Sequence, residues 1–127
     1  MISLQKKPEK YRNGYKDKSH RDKIRALPCI ACKDQQTPTE AHHLIDYGAG
    51  LKPTDFFMIP LCNLHHTGSF YSNYPKKGNA IHATILSDWE KVYGIQENLL
   101  KITYEDLGMI EDWQEAKNYI KTWKLSK

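Results

Sequence analysis

The sequence predicts a small α+β domain, and three observations carry that prediction. All three cysteines and five of the six histidines fall between residues 29 and 82. Two short strand-like runs, 39–45 and 56–61, lie inside that window, and the clearest helical periodicity lies after it. The length of 127 residues fits one domain, large enough for a modest core and small enough to gain from a metal staple.

Residues 1–19 are polar, interrupted by Pro8 and Gly14, and read as a basic flexible arm ahead of a folded domain over 20–127. Residues 1–25 hold nine Lys and Arg against three acids, a charge of +6, so the remaining chain carries −2 of the net +4. A basic segment on a near-neutral body points to a polyanionic partner, nucleic acid first, or else to a solvated tail. A helix is expected from Ser19 to Leu27, with Ser19 as N-cap, Asp22 in its first turn and Pro28 ending it.

Residues 28–38 read as a knuckle. Thr39–Ile45 reads as a strand, Gly48, Gly50 and Pro53 mark a loop, and Phe56–Leu61 is an apolar run suited to a second strand. A short helix is expected from Asn63 towards Phe70, then an irregular loop over 72–78. Ser87–Tyr93 closes a helix at Gly94, and one or two helical turns span Gln96–Ile102. The last helix runs from about Ile110 to Lys124. Ile110, Trp113, Ala116, Ile120 and Trp123 share one face of it, read as core.

No run of about 18 apolar residues exists, and the stretch after Met1 lacks an apolar signal core, so neither a membrane span nor secretion is expected. That leaves a reducing cytoplasm, where Cys-x-x-Cys binds metal or does redox chemistry rather than forming a structural disulfide. Structural zinc takes four soft or borderline ligands, usually as two tight pairs. Cys29 and Cys32 form one pair, Cys62 and His65 the other. Redox chemistry would want a helix opening at the first cysteine, whereas Pro28 precedes Cys29 and polar residues follow Cys32.

With His65 assigned to zinc, His42, His43, His66 and His82 remain in the cluster. Adjacent strand residues point to opposite sides, so His42 and His43 do not both ligate one ion. One can hold a metal while the other handles protons near neutrality.

The order His42-His43, Leu61-Cys62-x-x-His65-His66 and a flanking Cys29-x-x-Cys32 resembles the HNH, or ββα-metal, endonucleases. The match is nearest to the phage Ref-type, RecA-dependent recombination-enhancement nucleases and related prophage nucleases. The similarity runs from about residue 19 to 100 and includes Glu40-Ala41-His42-His43-Leu44-Ile45, Gly50–Asp55, Ala80–Ala83 and Trp89–Gly94. It implies a ββα-metal core, with His42, His66 and His82 as ligands of one catalytic Mg2+ or Mn2+ and His43 as general base. It further implies DNA as substrate, a RecA-type recombinase filament as a partner, and a bacterial host cytoplasm. The family's central asparagine has no clear counterpart: Asp55 is the candidate, while simple counting lands on Phe57. Where the family often places its last metal histidine this chain has Phe70, which leaves that role to His82.

For substrate contact, Lys6, Lys7, Lys10, Arg12, Lys16 and Lys18 in the arm can meet phosphates. Lys76 and Lys77, with Tyr71 and Tyr74, form a basic aromatic loop able to straddle a backbone or stack on a base. The functional expectation is a metal-dependent endonuclease acting on DNA. The alternative is a zinc-stabilised DNA-binding or recombinase-interacting module without catalysis.

Overall fold

A computed structural model describes residues 8–32, 39–45, 52–66, 81–83 and 85–125, with the side chains at 64, 83 and 121–125 excepted. Lys6, Lys7, Lys76 and Lys77 lie outside the described residues. The architecture is α+β: an antiparallel pair of strands surrounded by helices.

Strand β1 (Thr39–His43) pairs with β2 (Met58–Cys62), placing His42 opposite Ile59, His43 opposite Met58 and Glu40 opposite Leu61. Every residue of β2 is buried, as its apolar run requires, because α1 (Lys18–Arg25) and α4 (Gln96–Asp106) both pack against it. Pro60 lacks an amide hydrogen, but its carbonyl accepts from Ile30 N at 2.9 Å, which ties the cysteine knuckle to the strand. β1 stops two residues short of the expected end: Leu44 N bonds Phe57 O, and Gln96 holds Ile45 at both its amide and its carbonyl.

β2 runs directly into α2 (Asn63–His66), and a 3-10 turn at Ile81–Ala83 brings in His82. α3 (Leu86–Tyr93) ends at Gly94, whose φ of +121° is costly for a residue with a Cβ. α4 outlasts its expected extent by four residues. α5 (Ile110–Leu125) buries Trp113, Ala116 and Ile120 as expected, but Ile110 is 43% exposed because it opens the helix before packing begins. The core joins these residues to Tyr11, Phe57, Leu61, Trp89, Leu100 and Tyr104.

Two expectations near the N-terminus change. Asp17, not Ser19, caps α1: its side chain accepts from His20 N at 2.9 Å. Carboxylates cap at least as well as hydroxyls, and the Asp17 amide is itself held by Asp55 at 2.8 Å. Residues 8–17, expected within a flexible arm, are packed. Tyr11 is buried between Phe57 and Tyr119, with ring centroids 5.8 and 5.3 Å away, and Gly14 N and Asp55 N exchange bonds with Lys52 O and Tyr15 O. An aromatic residue inside a polar segment was the signal for this anchoring. No described helix is long and apolar enough to cross a membrane.

Candidate metal centres

Cys29, Cys32, Cys62 and His65 converge, with each ligand atom within 4.8 Å of the others. Cys32 Sγ lies 3.9 Å from Cys62 Sγ, and His65 Nδ1 lies 3.1 Å from Cys62 Sγ and 3.8 Å from Cys29 Sγ. Tetrahedral zinc, with bonds of about 2.3 Å to sulfur and 2.0 Å to nitrogen, sets edges of about 3.8 Å between sulfurs and 3.5 Å between sulfur and nitrogen. The cluster fits such an ion, and the cysteines are free thiols.

The electrostatics agree. Burial pushes the Cys29 thiol up, but the His65 hydrogen bond and neighbouring backbone amides outweigh it and hold the group at about 6. Burial and the adjoining Cys29 push Cys62 up to about 12. Without a cation, one thiolate forms readily and the next resists. A divalent ion removes that repulsion and deprotonates the set.

The second cluster is made of His42, His66 and His82, again within 4.8 Å of one another. Their ring centroids form a near-equilateral triangle with sides of 5.0, 5.1 and 5.0 Å. His42 is buried, His66 is partly buried and His82 is exposed, so this site opens to solvent while the thiolate site is mostly enclosed. Among the described residues His42 Nε2 is buried with no hydrogen-bond partner, and a metal ion is a partner that three gathered imidazoles could share. Burial, then the neighbouring His66 and His82, lower the His42 pKa to about 3, which keeps its lone pair free. Burial and His66 likewise lower that of His82.

His43, the next residue of β1, stands outside this triangle. Its Nε2 lies 2.8 Å from Asp55 Oδ1, and burial, outweighing Asp55, lowers its pKa. Asp55 is almost fully buried and also accepts from Asp17 N at 2.8 Å and Arg21 Nη2 at 3.3 Å. Burial alone would raise the Asp55 pKa, but these three donors bring it below the usual carboxylate range. An ionised Asp55 only accepts, so His43 Nε2 carries the hydrogen and Nδ1 offers the lone pair. Phe57, the position reached by counting, is a core residue against Tyr11.

A family profile described as "Protein of unknown function (DUF968)" matches residues 3–109. The chain belongs to the DUF968 family. No curated protein and no solved structure is matched. The matched stretch of this DUF968 chain contains both ligand clusters, His43 and Asp55.

Sequence reasoning missed three supports of this DUF968 site. Glu40 Oε1 lies 2.7 Å from His66 Nδ1, Gln96 works against the lowering of the His42 pKa while holding the Ile45 backbone, and Arg21 pairs with Asp55. Glu40 was findable, because a residue two before His42 shares its strand face. Gln96 and Arg21 left no local signal. Among the expected phosphate contacts, Arg12, Lys16 and Lys18 are exposed, and Lys18 pairs with Asp22 at 2.9 Å. Lys10 instead lies over the Tyr11 and Phe56 rings at 5.1 and 5.8 Å.

Proposed function

We propose that this protein is a metal-dependent DNA endonuclease of the HNH, ββα-metal type, with zinc as its structural metal. The observation that carries the reading is the His42, His66 and His82 triangle, built from β1, α2 and the 3-10 turn at Ile81–Ala83, with His43, the next residue of β1, hydrogen-bonded to Asp55. The resemblance implied Mg2+ or Mn2+, but three imidazoles favour borderline transition ions. Mn2+ therefore suits the site better than Mg2+, with Zn2+, Co2+ and Ni2+ as strong competitors.

His42, His66 and His82 would hold a divalent ion, which would supply positive charge where negative charge develops on the phosphate and the leaving oxygen. His43 does the proton work. Its Nδ1 takes a proton from water as the water oxygen bonds to phosphorus. The bond from phosphorus to the 3′-oxygen breaks, leaving a 5′-phosphate, and solvent protonates the departing alkoxide. Asp55 keeps the ring in the tautomer that accepts at Nδ1 and stabilises the imidazolium formed. Arg12, Lys16 and Lys18 are proposed to hold flanking phosphates, each steepening the log–log salt dependence of binding by roughly 0.9.

Supercoiled plasmid incubated with protein and Mn2+ tests the reading. Nicking that His43→Ala abolishes while DNA binding persists supports it. Intact plasmid across Mn2+, Mg2+, Co2+ and Ni2+ leaves the non-catalytic zinc-stabilised binding module in its place.

A further inference from the structure

We infer that Glu40 is a positioning residue for the three-histidine site, orienting His66 so that its Nε2 faces the cluster. The inference rests on reading His42, His66 and His82 as a metal site, and it assigns a role to a residue outside the ligand set.

Glu40 and His42 are two apart on β1, so their side chains leave the same face of the strand. That face looks onto α2, which β2 delivers immediately after Cys62. Glu40 Oε1 meets His66 Nδ1 at 2.7 Å, within the range of a charge-assisted bond. Asn63 Nδ2, one turn before His66 on α2, reaches the other carboxylate oxygen at 3.5 Å. The carboxylate is thus steered from both ends of a single helical turn.

An imidazole that donates Nδ1–H to a carboxylate has only Nε2 left as a metal donor. The carboxylate also fixes the ring's orientation, the usual service of such a partner to a metal-binding imidazole. His66 is carried on α2, whereas His42 is held in a paired strand. Glu40 is about one-third exposed on its side chain, so it can be substituted without opening the core.

The test uses full-length protein carrying zinc in its thiolate site, titrated with Co2+ and followed by the visible d–d absorption and by competition with a chelator. Wild type takes up one Co2+ without growth of thiolate-to-cobalt charge-transfer absorption. Glu40→Ala weakens that Co2+ by 10- to 100-fold, the usual effect of removing such a partner. Its zinc content and thermal midpoint stay at wild-type values. Glu40→Gln keeps an oxygen that accepts from Nδ1–H, so its affinity falls between the two.

Wild-type Co2+ affinity in Glu40→Ala overturns the inference. So does Glu40→Gln binding as weakly as Glu40→Ala, because the hydrogen bond is then not what orients the ring. Failure of the underlying site shows separately, as wild type that binds no Co2+ beyond its zinc. Failure of the nuclease reading shows as uncut plasmid with the Glu40 effect on Co2+ intact.

Discussion

His43 Nε2 and Asp55 Oδ1, twelve residues apart in sequence, sit 2.8 Å from each other with the carboxylate almost fully buried. Asp55→Asn keeps an acceptor for the Asp17 amide but removes the charge that selects the His43 tautomer. Under the proposed nuclease reading the variant folds, binds DNA, and cleaves about a hundredfold more slowly, the low end of what general base catalysis contributes. Single-turnover cleavage with the variant at saturating Mn2+ is the measurement. A rate within twofold of wild type removes Asp55 from the mechanism.

The pH dependence follows from two depressed imidazoles. Under the proposed nuclease reading, burial lowers the His43 pKa, so the acid limb of the cleavage profile falls below the ordinary imidazole range. The metal-free histidine site also affects stability. Between 6.5 and about 3, folded His42 binds fewer protons than it does unfolded. The contribution is therefore fully present above 6.5 and is lost as pH falls towards 3. Urea titrations of wild type and His42→Gln across this range isolate it, and the variant shows the shallower slope.

Under the proposed metal assignment, removal of metal separates the two centres. EDTA strips the open three-histidine site while leaving the helical circular dichroism unchanged. A thiol-directed mercurial displaces the zinc and unfolds the chain, since binding energy at a structural zinc site is folding energy, on the order of 10 kcal/mol in small zinc domains. Cys62→Ser reproduces the second result in metal content and melting. Retention of a cooperative melt after zinc release would contradict the structural role.

Gly94 links α3 to α4 and so sets where Gln96 meets Ile45. A Cβ at Gly94 would face φ of +121° and lie 3.1 Å from Leu99 Cδ2. Gly94→Ala is expected to destabilise the fold by about 1–2 kcal/mol, read as a lower urea midpoint with unchanged m.

Tyr104 closes the other side of the core, donating to Phe56 O at 2.9 Å and meeting Trp113 edge-on. Tyr104→Phe leaves that carbonyl without its donor and costs about 1 kcal/mol, again as a shift in urea midpoint. The ring contact survives the change, so a much larger loss would mean that the hydroxyl does more than this bond.

The sequence alone determined the inventory of candidate ligands and its division into the two sets that the fold gathers. Spacings such as Cys29-x-x-Cys32 and Cys62-x-x-His65 are properties of a single turn of backbone, and the alternation that parts His42 from His43 is a property of any strand. The strands, α3 and α5 were legible for the same reason, since period and punctuation are local. Only the tertiary structure decided what stands behind the ligands. Glu40 on His66, Asp55 and Arg21 behind His43, Gln96 on the Ile45 backbone, and Tyr11 drawing the N-terminal segment into the core all join residues distant in the chain. Such pairings depend on how β2 is covered by helices that arrive before and after it, and no local pattern encodes that packing.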